Sequence, residues 1–194
     1  MHQPGLGFGT PSAGIERLFF ALWPGDDLRR DIAAAADRIV DEHTPRGRRI
    51  GPHRYHLTLQ FLGDFEALPP SLAGEACAAA ASVRAPAFDL VLNRAGSFRN
   101  RSIPWWVGCE HVPAGLQQLW RQLGDALARG GVRVRSSKGL VPHVTIVRDA
   151  ARPLSPIAVT PIPWRVDSFV LIHSVVGGAR SRYTELGRWS LPTS

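Results

Sequence analysis

The sequence predicts an α+β fold: a single bilobal domain whose two pseudo-symmetric lobes carry mainly antiparallel sheets facing a central cleft, with helices packed outside. Three observations carry that expectation. Strand-like runs alternate with Ala-rich or Leu-rich helical patterns up to about residue 130, after which no helix is evident. A strand, a helix and a strand opening on His-x-Thr occur once before residue 64 and again between Trp105 and Arg148, a weak internal repeat. No low-complexity linker divides the chain, so residues 1–194 read as one domain, with the Gly- and Pro-rich stretch 1–14 as a flexible arm.

Taken in order, Arg17 to Trp23 reads as a strand, closed by Pro24 and Gly25. A helical pattern follows from Asp26 to Glu42, with Asp26 or Asp27 as candidate cap. His56 to Gly63, HLTLQFLG, is a β-compatible run up to a glycine stop. Pro69 and Pro70 open a second helix ending near Val83, and strands are expected at Phe88 to Asn93, Ser97 to Phe98 and Trp105 to Cys109. Pro113 suits the first turn of a third helix, whose Leu116, Leu119, Leu123 and Leu127 form an apolar stripe. His143 to Val147, HVTIV, then repeats the pattern of the first His-x-Thr strand. Further strands are expected near Trp164 to His173 and Tyr183 to Trp189.

Composition narrows the function classes. Apolar residues at 44% and charged residues at 20% suit a globular chain with a sizeable core, and no apolar run approaches the roughly 20 residues of a membrane span. Cys77 and Cys109 form no redox-type or metal-type pair, and the arm lacks the basic and apolar regions of an export signal, so a cytoplasmic setting is expected. The net charge of +7 favours an anionic partner, and because Lys138 is the only lysine, nearly all positive charge sits on guanidinium groups. Arg46, Arg48, Arg49 and Arg54 precede His56, while Arg129, Arg133, Arg135 and Lys138 precede His143.

The two His-x-Thr motifs carry the chemistry. Successive strand residues face opposite sides, so His56 and Thr58 share one face and His143 and Thr145 another, with Leu57, Leu59, Val144 and Ile146 turned to the core. Seven His and seven Thr predict about 0.25 chance matches, yet two occur. Requiring apolar residues at the intervening and following positions lowers the odds to roughly one in a thousand. In-line displacement at phosphorus needs one group to take a proton from the attacking oxygen and another to protonate the leaving oxygen. Histidine can be neutral in one copy and protonated in the other near neutral pH. A threonine hydroxyl two residues on can donate to a non-bridging phosphate oxygen. Neither motif supplies a third ligand at a spacing typical of zinc. By strand parity Arg148, a candidate substrate contact, points away from His143. His53 and His173 read as bystanders, and Trp105, Trp106 and Tyr183 as core.

HLTL at His56 to Leu59 and PHVTI at Pro142 to Ile146 resemble the paired signatures of the two-histidine phosphoesterase superfamily. Together with RLFFALWP, HLTLQFLGD, the WWVG run at Trp105 to Gly108 and HVTIVR, they resemble the RNA 2',3'-cyclic phosphodiesterases of bacteria and archaea, also called 2'-5' RNA ligases, over about residues 16 to 190. The resemblance implies a cyclic phosphate opened to a 2'-phosphate without a cofactor, His56 as proton donor and His143 as proton acceptor. The expected partners are RNA with 2',3'-cyclic phosphate ends or small cyclic nucleotides, with no membrane, and the chain is expected to act as a monomer. Gln60 stands where that pattern commonly has a basic residue, and SSKGLVPH replaces its usual arginine and aromatic. An RNA-end-binding module without turnover is the alternative from another class.

Overall fold

The computed structural model describes residues 14–99, 101–135, 139–177 and 182–193. The expected arm therefore lies outside the described residues except for Gly14, as does Lys138. The chain runs β1 (Ile15–Leu22), α1 (Asp26–His43), the two-residue β2 (Arg48–Arg49), a 3-10 turn (Pro52–Arg54), β3 (Leu57–Phe65), α2 (Leu72–Ala80) and β4 (Phe88–Ser97). It continues through β5 (Trp105–Gly108), α3 (Ala114–Arg129), β6 (His143–Arg148), β7 (Ile157–Val166), β8 (Ser168–Val176) and β9 (Arg182–Ser190).

All nine strands among the described residues join one antiparallel sheet in the order β7-β4-β5-β6-β3-β1-β8-β9, with β2 added to the edge of β6. The order is symmetric about its centre: β6 and β3 meet in the middle, β5 and β1 flank them, and a hairpin-like outer pair follows on each side. The sequence repeat is thus β1-α1-β3 against β5-α3-β6. The two expected sheets are the halves of this one sheet, and β3 meets β6 through a single paired position, Leu57 with Val144. Below that seam β2 continues the edge, with Arg48 opposite Arg148 and Arg49 opposite Val147.

One face of the sheet carries the helices, and it binds the halves together. Leu57 and Val144 are fully buried in a core that also takes Ile32 and Ile39 of α1 and the leucine stripe of α3, all four of whose members are fully buried. α1, which links two strands of one half, packs against β7 of the other, and α3 packs against both β3 and β4. Arg29 ties the start of α1 down, donating from Nε to the Pro24 carbonyl at 2.7 Å and from a terminal nitrogen to the Pro52 carbonyl at 3.2 Å. The opposite face carries a smaller cluster, Phe19, Ala21, Val170 and Ile172, with Trp23, Phe61 and Tyr183 packed on it.

Several boundaries differ from expectation for physical reasons. Gly25 occupies the cap position of α1 with extended backbone, and Asp26 and Asp27 fall in the first turn, where their charges favour the helix dipole instead. Pro113 likewise sits at the cap of α3 rather than inside its first turn. Gly63 does not stop β3. It lies inside the strand at φ +153°, next to a register shift against β1, in a conformation open chiefly to glycine. The expected break between Asn93 and Ser97 is absent, and β4 runs through it with a register irregularity between Leu92 and Arg94. The run Trp164 to His173 is two strands, because the chain turns at Asp167 between β7 and β8.

Candidate active site

The antiparallel pairing of Leu57 with Val144 places His56 opposite Thr145 and Thr58 opposite His143 when its register is continued one residue either way. All four side chains then share the face away from the helices, and their partial burial alternates with full burial at Leu57, Val144 and Ile146. Two strands from distant parts of the sequence thus bring the two motifs together at the seam.

The histidines are held in the same way. The Nδ1 of His56 lies 2.7 Å from the carbonyl oxygen of Arg54, and the Nδ1 of His143 lies 2.7 Å from that of Val141. A carbonyl can only accept, so each Nδ1 carries the hydrogen and each Nε2 is left with its lone pair. In both cases the partner is two residues upstream, a repeat of geometry that matches the repeat of sequence.

The rings differ in their surroundings. His56 stacks on Trp23 at 5.8 Å and 18° between planes, and lies 4.9 Å from the Phe19 ring and 6.0 Å from that of Tyr183. Burial among these rings pushes its pKa down to about 4; the bond to Arg54 opposes the shift, while the charges of Arg148, His143 and Arg54 add to it. His143 meets the edge of Phe98 at 4.8 Å, and burial lowers its pKa as well, against its bond to the Val141 carbonyl.

A strand irregularity reverses the expectation for Arg148. Trp105 pairs with Val147 but Trp106 with Thr145, so Ile146 is an extra residue and both it and Val147 are fully buried. The bulge resets the alternation, and Arg148 returns to the face of His143. It lines a hollow with Arg54, His56, Thr145 and Tyr183, and also an open trough of about 570 Å3 with Phe98, Arg101, His143 and Thr145. β3 has the matching bulge: Ala21 pairs with Thr58 and Phe20 with Gln60, so Leu59 and Gln60 are buried consecutively and Phe61 returns to the cleft beside Thr58 and His143. Gln60 therefore faces α3, donating to the Trp120 carbonyl at 3.0 Å, and not the cleft that strand parity would give it.

The basic residues divide. Arg49 holds the segment before His56, bonding to the Tyr55 hydroxyl at 2.9 Å and pairing with Asp37. Arg54 borders the hollow beside His56, with its guanidinium over the Tyr183 ring at 5.7 Å. Arg46, Arg129, Arg133 and Arg135 line none of the hollows around the histidines. Trp105 is fully buried core, as expected, but Tyr183 is half-buried and borders the hollow. His173 bonds to Glu16 at 2.9 Å. Phe19, Trp23, Phe98 and Tyr183 were not readable as site residues, since what brings them there is strand pairing rather than any local motif.

A family model described as the 2'-5' RNA ligase superfamily matches residues 24–178. The chain is 35% identical over 189 residues to the RNA 2',3'-cyclic phosphodiesterase of Escherichia coli K12, covering 91% of this chain and 97% of that protein. It is 31% identical to the protein of the same name from Thermus thermophilus, covering 90% of each. The crystal structure of E. coli LigT complexed with 3'-AMP superposes with a TM-score of 0.74 at 32% identity, over 91% of this chain and 98% of that one.

Proposed function

This chain belongs to the 2'-5' RNA ligase superfamily, and from that membership we propose that it hydrolyses the 2',3'-cyclic phosphate of RNA ends or small cyclic nucleotides to a 2'-phosphate. The observation that carries the reading is the pair of imidazoles on one face of the seam, each with Nδ1 tied to a carbonyl and Nε2 available, beside two threonines and Arg148. Water attacks phosphorus opposite the 3'-oxygen. His143 takes its proton on Nε2, and His56 gives a proton from Nε2 to the departing 3'-oxygen. Thr58, Thr145 and Arg148 meet the charge that grows on the non-bridging oxygens. These steps need no metal. The division of labour between the rings follows the family resemblance: burial lowers the pKa of His56 most, the Arg148 charge adds to the shift, and the anionic cyclic phosphate beside the ring favours its protonated form. The same step with a ribose hydroxyl in place of water joins RNA ends through a 2'-5' bond.

Among the described residues no helix is long and apolar enough to cross a membrane. Both cysteines are free thiols, which fits a reducing cytoplasm, and the reading takes the working form as a monomer.

Product analysis on 2',3'-cyclic AMP tests the reading directly. The expected product is 2'-AMP, formed at the same rate with chelator present. His56→Ala and His143→Ala are each expected to lower turnover by about 10²–10⁴-fold while RNA binding persists. Binding of RNA ends with no turnover by the parent protein would favour the RNA-binding module instead.

A further inference from the structure

Around His56 the structure holds more positive charge than one cyclic phosphate can use. Arg17 and Arg48, whose charges reach Arg148, each have a carboxylate: Asp64 at 2.6 Å and Asp149 at 3.8 Å. Arg54 and Arg148 pair with no carboxylate among the described residues, and they border the same hollow with His56, Thr145 and Tyr183. The Nε of Arg54 is buried without a hydrogen-bond partner, while its guanidinium carbon lies over the Tyr183 ring, 5.7 Å from its centre. Two uncompensated guanidinium groups match two monoanionic phosphodiesters, and a cyclic phosphate supplies one negative charge.

The chemistry of ribose says where the second lies. If His56 protonates the 3'-oxygen, the C3' side of the sugar faces His56, and C4' and C5' continue from C3'. The phosphate one nucleotide upstream, attached through the 5'-oxygen, is therefore carried on the His56 side of the ring and not on the His143 side. Arg54 and Tyr183 are what the chain places there.

We infer that Arg54, seated on Tyr183, is a specificity-determining residue that grips the phosphodiester one nucleotide upstream of the cyclic end, so that the protein selects oligonucleotide ends over mononucleotides. The inference rests on the cyclic phosphodiesterase reading above. Its test compares kcat/KM for 2',3'-cyclic AMP with that for the dinucleotide ApA ending in a 2',3'-cyclic phosphate, in the parent, Arg54→Gln and Arg54→Lys. The parent is expected to prefer the dinucleotide by roughly tenfold or more. Arg54→Gln is expected to erase that preference mainly through KM, and Arg54→Lys to restore part of it, with a steeper salt dependence on the dinucleotide in proteins that keep the charge. A parent without preference, an Arg54→Gln protein that keeps it, or equal losses on both substrates would overturn the inference while leaving the hydrolytic reading intact. A parent that turns over neither substrate would end both.

Discussion

Pressed by Phe19, Trp23 and Tyr183, the His56 ring is the most perturbed group of the cleft, and the direction of its shift is open to measurement. Imidazole signals followed by NMR are expected to titrate near pH 4 for His56 in the free protein, where burial is the main cause, and to move upward when inorganic phosphate is added, because the anion offsets the smaller contribution of the nearby cationic charges. A phosphate-independent value would remove the link between substrate charge and the acid's proton. Thr58→Val and Thr145→Val keep side-chain shape and delete the hydroxyl. Each is expected to lower kcat by about 10²-fold with a smaller change in KM, as for groups whose bonds strengthen in the transition state. Loss confined to KM would assign the threonines to ground-state binding. The four motif residues could be read from sequence because strand parity alone sets which of them share a face. The aromatic wall around His56 could not, since Phe19 and Tyr183 reach it from β1 and β9 through pairings that leave no local signature.

Two bulges decide what each His-x-Thr strand offers beyond its motif. In HLTLQF and HVTIVR alike, two consecutive buried residues follow the motif, and the sixth position returns to the cleft as Phe61 in one half and Arg148 in the other. Regular alternation misplaces both Gln60 and Arg148, because a bulge depends on how the neighbouring strand pairs and not on the residues within it. The departure at Gln60 is thus a packing feature: its amide lies 3.1 Å from where a side chain at Gly124 would begin, and it bonds to the backbone of α3. Gln60→Lys, which restores the basic residue of the wider pattern, buries an ammonium under the helix. It is expected to cost about 2–4 kcal/mol in chemical denaturation and to leave KM no better. A gain in affinity without loss of stability would show that this side chain can reach the cleft. The helices were legible to within a few residues, since the leucine spacing of α3 reports its buried face directly. The turn at Asp167 was not, because its only local signal is the short pair Asp167-Ser168 set between two apolar, β-compatible runs.

Taken whole, the molecule is a sheet whose halves touch at one residue pair on the strand side and are bound together by helices beneath. That arrangement keeps two titratable rings desolvated at the joint, with a consequence for acid stability. His56 has a folded pKa of about 4 against the ordinary 6.5 of an exposed imidazole, so the unfolded chain takes up the proton first as the pH falls. Its contribution is complete above about pH 6.5 and is lost progressively toward about pH 4, by up to about 3 kcal/mol. Denaturation at pH 7 and pH 4.5 is expected to show the loss, and His56→Gln to remove most of it; an equal loss in the variant would place its origin in other groups. The crossing of α1 to β7 bears on how the chain is made. On a ribosome, a nascent chain with residue 150 just emerged exposes both histidines, but β7 still lies within the exit tunnel, and β1 still lacks its partner β8. The side of α1 that packs on β7 therefore stays uncovered until about the end of translation, and the N-terminal half completes its packing only when the last strands arrive.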